Sequence, residues 1–244
     1  MIRALALVLL ALCGLAVPAA AQPVVYETVE ETVVWVDEQG NEVAPPAAAA
    51  EEGSTWRFVA AQPSDVEPAP MPQGIARFGP FRVLDHGTAA MVDISDSRTP
   101  AQFAAMLRAF PAIRRLELVE VPGTEDDRAN LALGRLIRAH GIATHVPAGG
   151  SVRSGGVELF VAGIAHTADP GAKFAVHAWE DEDGRGPRDY AMTAPENRAY
   201  LEYYRDMGLS PTEAAAFYAM TNAAPFEAAR FLNTAQMGQW LRLR

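Results

Sequence analysis

The sequence predicts an α/β domain that begins near Phe78 and continues to the carboxyl terminus. From that residue onward the hydrophobic pattern changes repeatedly between strand-like and helix-like periods, as expected when strands alternate with helices. The chain has 244 residues, and 50% of them are hydrophobic. That is enough for one ordinary core together with additional segments.

The first 21 residues are typical of a secretory signal peptide. Arg3 gives a basic start, the run from Ala4 to Val17 is apolar, and Ala19 to Ala21 supply the small residues of a cleavage site. The apolar run is shorter than the ~20 residues that a membrane-spanning helix needs. We therefore expect cleavage near Ala21, a periplasmic location and no stable membrane anchor.

Composition excludes several kinds of site. The only cysteine, Cys13, lies within the predicted signal peptide, so the mature chain would lack disulfides, thiolate nucleophiles and cysteine-bound zinc. The five histidines show no paired metal-ligand spacing, and we expect no metal. The formal charge of -10 argues against nucleic acid as a partner, because phosphate binding requires clustered Lys and Arg.

Two segments precede the α/β domain. Residues 22–43 carry β-branched and aromatic residues in near-alternation around Gln39-Gly40-Asn41, which predicts a small peripheral hairpin. Residues 44–77 are rich in Ala, Pro and Glu, a composition that predicts a flexible linker. Within it, the stretch from Trp56 to Val59 is the one point that we expect to contact the core.

The first half of the domain is predicted to contain three strands and two helices. Strands are expected at Phe81–Leu84, Ala89–Ile94 and Leu116–Val121. Thr99 and Pro100 are typical of a helix start, and acidic residues after Thr124 favour the first turn of a second helix.

The second half continues the alternation. A strand is expected to end at His145-Val146, followed by a helix over Ser154–Ala162 and a strand over Phe174–His177. Apolar positions between Leu209 and Trp240 predict further helical packing, either within the chain or in a homo-oligomer.

Ser154 and His177 are candidates for acyl-transfer chemistry. Ser154 is predicted at a helix start, where unpaired backbone N–H groups suit a developing oxyanion, and His177 at a strand end. A serine becomes a good nucleophile only with a base within hydrogen-bond reach. Taken alone, Ser154 is better explained as a helix cap and His177 as a hydrogen-bonded core residue.

Four short motifs, taken in order, resemble those of the Clp-protease (ClpP) family. They are Pro122-Gly123-Thr124, Ser154-Gly155-Gly156, Gly163, and the PGAKFAVH segment at 170–177. The resemblance covers the chain from about Phe78 to the end. It implies a ClpP/crotonase-like superhelix of strand-strand-helix (ββα) units over residues 78–244, a peptide or protein substrate, and no cofactor.

The resemblance also implies roles for individual residues. Ser154 matches the nucleophile and His177 the general base. The backbone N–H of Gly155 matches one oxyanion donor, and the loop of Gly123 and Thr124 matches the other. The family usually has a second glycine where Thr124 stands, so the site is expected to be narrower.

The third member of a catalytic triad is missing from its expected place. Where the family has an aspartate, this sequence has Ala229. Asn222 is the substitute that we include in the candidate site, and Glu227 is the alternative. A serine–lysine pair, as in the signal-peptide peptidases related to Clp proteases, would have to use the only lysine, Lys173.

These observations lead to a principal and an alternative function. The principal one is a secreted serine hydrolase that cleaves peptide bonds. The alternative is a scaffold that has lost catalysis and binds a periplasmic partner, which the missing aspartate and Thr124 favour. Acyl-CoA chemistry of the crotonase kind shares the fold, but coenzyme A is a cytoplasmic metabolite.

Overall fold

A computed structural model describes Thr55 and residues 57–59 and 67–243, all within the unit Glu51–Arg244. The predicted signal peptide at 1–21 and the predicted hairpin at 22–43 lie outside the described residues. The described part is a mixed α/β structure, which confirms the prediction of an α/β domain.

The described part of the chain contains twelve strands and six helices. The strands are β1 Arg57–Phe58, β2 Ala76–Phe78, β3 Phe81–Val83, β4 Thr88–Met91, β5 Arg115–Leu118, β6 Glu120–Val121, β7 Gly123–Thr124, β8 Ala143–Val146, β9 Ser151–Arg153, β10 His166–Ala168, β11 Lys173–Val176 and β12 Arg230–Asn233. The helices are α1 Thr99–Ala109, α2 Asp127–Ala139, α3 Gly156–Val161, α4 Pro195–Asp206, α5 Pro211–Thr221 and α6 Thr234–Met237.

The strands form three sheets. The largest has the order β10-β8-β5-β4-β3-β2, and its strands are parallel from β10 to β4 and antiparallel from β4 to β2. The second has the order β12-β11-β9-β6, in which only β12 is antiparallel to its neighbour. The third pairs β1 with β7 in an antiparallel ribbon.

Helix α3 lies between the two larger sheets. It contacts β8 of the first sheet and both β9 and β11 of the second, and all six of its residues are buried. This explains its apolar sequence GVELFV, in which Phe160 packs on Phe174 with ring centroids 4.9 Å apart. Glu158 is the exception, a charged residue that is fully buried within an apolar helix.

The strand predicted over Leu116–Val121 is two strands in different sheets. The chain changes sheet at Val119, whose N–H donates to Met91 of β4 while its carbonyl accepts from Ser151 of β9. A continuous apolar run cannot reveal this change, because both halves are buried. The structure also starts two helices later than predicted, at Asp127 and at Gly156.

Two ordered segments fall within the range predicted as linker. Strand β1 lies there, and strand β2 begins at Ala76, two residues before the predicted domain boundary. Arg57 of β1 is fully buried, with 1% of its surface exposed.

A close contact between α2 and α4 depends on Gly134. An added Cβ at Gly134 would lie 2.0 Å from the hydroxyl oxygen of Tyr203 and 2.7 Å from its ring carbon Cζ. That hydroxyl donates to the backbone oxygen of Glu158 at 2.7 Å, which ties α4 to α3.

We predict that Gly134→Ala destabilises the protein, although the same change in an ordinary helix stabilises by up to about 1 kcal/mol. The added methyl group must displace Tyr203, and overpacking of this kind costs about 1–3 kcal/mol. Urea denaturation measures the free energy of unfolding. In a Tyr203→Leu background the same change should no longer destabilise, and equal losses in both backgrounds would contradict the explanation.

Candidate active site

The candidate site lies where three parallel strands of the second sheet end. Strand β9 pairs with β11 so that Arg153 is opposite Ala175, and it pairs with β6 so that Val152 is opposite Val121. The carboxyl ends of these strands therefore meet at one edge. Ser154 follows β9, His177 follows β11, and the loop of Gly123 and Thr124 follows β6.

Ser154 occupies a strained turn between β9 and α3. Its φ angle is +54°, and it is the one non-glycine residue with positive φ in the described part of the chain. Its N–H donates to the Ala175 carbonyl at 2.7 Å, and its carbonyl accepts from Val157 at 2.9 Å. Such strain persists only where surrounding contacts impose it, and it is concentrated at functional sites.

The Ser154 hydroxyl touches the His177 ring. Oγ lies 2.6 Å from Nε2, within hydrogen-bond range for proton transfer. Burial, together with the nearby positive charge of Arg57, lowers the pKa of His177 to about 4, against a smaller opposing effect of the Ala178 backbone. The imidazole is therefore neutral at pH 7, the state in which it can accept a proton from the serine.

Among the described residues, no side chain forms a hydrogen bond with the other nitrogen of the His177 ring. Nδ1 makes no hydrogen bond of normal geometry within the described part of the chain. The ring of Phe226 lies edge-on, with centroids 5.3 Å apart. The ladder of β11 and β12 ends with Val176 opposite Arg230, and one further step of the same register would set Ala229 opposite His177.

Asn222, our candidate for the third member, does not orient His177 in the structure. Its Oδ1 accepts from Arg57 at 3.3 Å, and its Nδ2 donates to the Tyr218 carbonyl at 2.7 Å. These contacts turn the amide toward the buried guanidinium, because an unpaired buried cation is costlier than an unpaired imidazole nitrogen. Glu227 is exposed.

Lys173 stands at the opposite end of β11 from His177. It pairs with Ser151, three residues before Ser154 on β9, which corresponds to about 10 Å along a strand. The hydroxyl of Ser154 contacts His177 instead.

The loop after β6 is held by its own side chains and by Asn130. Gly123 has a φ of +142°, which favours glycine, and the Thr124 hydroxyl donates to the Asp126 carbonyl at 2.9 Å. Asn130 accepts from the Ser95 hydroxyl at 2.8 Å and donates to the Gly155 carbonyl at 2.7 Å. It thereby ties the serine turn to helix α2.

Strand β1 occupies the free edge of this loop. Arg57 is opposite Thr124 in the ladder, and the Val59 N–H donates to the Pro122 carbonyl at 3.0 Å. On the other edge, Gly123 and Glu125 bond to Ser95. Since successive strand residues point their N–H groups to opposite edges, the Thr124 N–H faces β1.

The site is closed in this conformation. Only 1% of Ser154 and 0% of His177 is exposed, and Thr124 is fully buried as well. A substrate could reach the serine only after a rearrangement.

Arg57 fills a polar pocket beside the site. Nη1 lies 3.2 Å from Oε1 of Glu158, and the guanidinium stacks over the Tyr200 ring at 4.5 Å from its centroid. Asp127 is buried nearby, and burial raises its pKa to about 6 against the opposing charge of Arg57.

The residues described contain no group of three or more His, Cys, Asp or Glu side chains placed to hold a metal ion. Nor does this part of the chain include a helix with the length and apolar composition needed to cross a bilayer.

Comparisons with known proteins do not assign a family. No protein-family model matches the chain, and no curated protein matches it. Among solved structures, it is similar to a membrane-bound stomatin-specific protease, a mutant in complex with a substrate peptide. The TM-score is 0.38 and the identity 15%, over 61% of this chain and 71% of that chain. At that score the likeness is too distant to assign an activity.

Sequence reasoning did not identify Arg57, Asp127, Asn130 or Glu158 as neighbours of the site. A signal existed for Glu158, because a single carboxylate in an apolar run needs a buried partner. Arg57 gave a weaker one, as the cation in the aromatic stretch from Trp56 to Val59. Asn130 gave none, since it sits at an ordinary helix position.

We predict that the stability difference between wild type and His177→Gln depends on pH. As the pH falls from 6.5 toward 4, the imidazole of His177 becomes protonated in the unfolded chain but stays neutral in the native protein. The free energy of unfolding of wild type therefore decreases. The loss is about 3 kcal/mol, at about 1.4 kcal/mol for each pH unit. Urea denaturation between pH 4 and 7.5 measures it.

Asp127 has the opposite effect on the free energy of unfolding between pH 3.8 and 6, because its pKa is raised in the native state. It is present in both wild type and His177→Gln, so its effect cancels when the two stabilities are subtracted. A difference that stays constant over this range would show that His177 titrates normally in the native state.

Proposed function

We propose that this chain is a secreted, ClpP-like serine hydrolase that cleaves peptide bonds, with Ser154 as nucleophile and His177 as general base. The observation that carries the proposal is the 2.6 Å contact between Oγ and Nε2 at the carboxyl ends of adjacent parallel strands. The positive φ of Ser154 supports it, because a serine nucleophile at a sharp turn between a strand and a helix is held in strained backbone geometry.

In this mechanism neutral His177 takes the hydroxyl proton as Ser154 attacks the substrate carbonyl. The N–H groups of Gly155 and Thr124 stabilise the oxyanion of the tetrahedral intermediate. His177 then gives its proton to the leaving amine, and water hydrolyses the acyl-enzyme by the same steps.

The chemistry is expected to be slow. A buried imidazole with a pKa of about 4 is a weak base, and no carboxylate within the described residues supports its Nδ1. In serine proteases the carboxylate orients the ring and stabilises the imidazolium, and replacing it costs orders of magnitude in rate.

A non-catalytic scaffold is the second candidate. The closed site and the unsupported Nδ1 favour it, since a degenerate enzyme has no need to keep its serine accessible. Under this function the fold would serve to bind a periplasmic partner.

Labelling with a fluorophosphonate probe tests the proposal. We expect slow labelling of wild type over long incubations, because the buried serine reacts only when the site opens. Ser154→Ala should abolish it, whereas Ser97→Ala, at an exposed serine, should leave it unchanged. Absence of wild-type labelling between pH 6 and 9 would favour the scaffold.

We predict that Ala229→Asp increases the labelling rate, by at least about tenfold on the scale of general-base effects. Residues directly opposite in an antiparallel ladder point to the same face, so the new carboxylate would lie beside His177 and raise its pKa. Ala228→Asp is the matched control, because Ala228 is exposed and lies in the turn before β12, where its N–H donates to the Pro225 carbonyl at 3.2 Å. The register argument fails if both variants label alike while remaining folded by circular dichroism.

A further inference from the structure

Strand β1 is held through its backbone in a groove along β7. The Asp127 N–H donates to the Thr55 carbonyl at 3.0 Å, and the Pro122 carbonyl accepts from Val59 at 3.0 Å. Arg153 donates through Nε to the Val59 carbonyl at 2.6 Å. These three contacts use backbone atoms of the residues that flank β1, so the groove can hold an extended peptide of other sequence by strand addition. The Thr55 hydroxyl adds one side-chain contact, because it donates to Asp127 Oδ2 at 2.9 Å.

The Arg57 side chain of β1 is bound in a buried pocket. Arg57 is buried between Glu158 and Asn222, which accept from its two terminal nitrogens, and its plane stacks on Tyr200. Acceptors at both terminal nitrogens and an aromatic face match the shape of a guanidinium better than that of an ammonium. The Tyr204 hydroxyl fixes the Glu158 carboxylate by donating to Oε1 at 2.5 Å.

The pocket carries more negative charge than Arg57 neutralises. Glu158 and Asp127 face one guanidinium, and Oε2 of Glu158 and Oδ1 of Asp127 lack hydrogen-bond partners among the residues described. Both acceptor contacts of Arg57 are long, at 3.2 and 3.3 Å, and its Nε has no hydrogen-bond partner in the part of the chain that the structure describes. The charge of the pocket therefore favours a cation, although its hydrogen bonds to the Arg57 guanidinium are long.

The position of Arg57 relative to the serine indicates how a peptide would be cut. Arg57 is opposite Thr124, whose N–H faces β1 and is the proposed oxyanion donor. An added Cβ at Gly155 would lie 2.6 Å from Thr124 Cγ2, so this donor adjoins the serine turn. A residue in the place of Arg57 would present its carbonyl to that N–H.

We propose that the groove is the substrate site, that it takes an extended peptide with arginine in the Arg57 pocket, and that cleavage follows this arginine. In the structure, strand β1 of the same chain lies in the groove where this substrate would bind. The cleavage part rests on the proposed function, whereas the recognition of arginine does not.

Binding to a catalytically inactive protein tests the pocket without chemistry. A recognition sequence for a specific protease is inserted after Gln62 in the Ser154→Ala chain, which folds intact before it is cut. The probe is a fluorescent peptide with the sequence of Ser54–Ala60 (STWRFVA), and comparison peptides carry alanine or lysine in place of arginine. Fluorescence anisotropy measures their affinities for the cut protein.

We expect the arginine peptide to bind at least tenfold more tightly than the alanine peptide and more tightly than the lysine peptide. Glu158→Gln should remove most of this preference, and Glu202→Gln, at an exposed glutamate, should not change it. Equal binding of the three peptides, or loss of the fold once the amino-terminal fragment is removed, would show that Arg57 is a fixed part of the core.

The active-serine version of the cut protein separates the two proposals. Hydrolysis after arginine in a reporter peptide supports both. Arginine-selective binding without hydrolysis or phosphonate labelling would support the arginine pocket and contradict the proposed hydrolase. Phosphonate labelling without a preference for the arginine peptide would support the proposed hydrolase and contradict the arginine pocket.

Discussion

The parallel register of β6, β9 and β11 is the constraint on which the site depends. With Ala175 opposite Arg153 and Val121 opposite Val152, the residues that follow the three strands arrive at one edge. A slip of one residue would turn each side chain to the other face of the sheet and separate Ser154 from His177. Val121, Val152 and Phe174 lie side by side in this register and are fully buried, so core packing determines the geometry of the candidate chemistry.

The same burial that fixes the geometry weakens the base. Taking His177 out of water disfavours its charged form, and Arg57 adds an unfavourable positive charge nearby. A substrate arginine in the same pocket would have the same effect, so the imidazolium formed during attack would be poorly stabilised. Ala229 offers no carboxylate to compensate. Burial, the arginine in the adjoining pocket and the missing acid would all make turnover by this site slow.

The sequence predicted what local periodicity and short motifs encode. It placed Ser154 and His177 at the ends of elements that the structure aligns, and it identified the loop of Gly123 and Thr124. It did not reveal the change of sheet at Val119, which depends on which strands pair. Asn222 was the predicted third member of the triad, but its amide binds Arg57, a residue 165 positions away that lies in a stretch resembling a linker.

Because β1 is covalently attached to the domain, it has an advantage over a free peptide that competes for the groove. Replacing one buried arginine by another changes little in desolvation or charge, so the exchange is nearly neutral for the pocket itself. A covalently attached segment, however, competes at an effective concentration of the order of millimolar. A free peptide of equal fit would therefore need a similar concentration to enter. Cutting or displacing the amino-terminal segment removes this advantage without altering any contact in the groove.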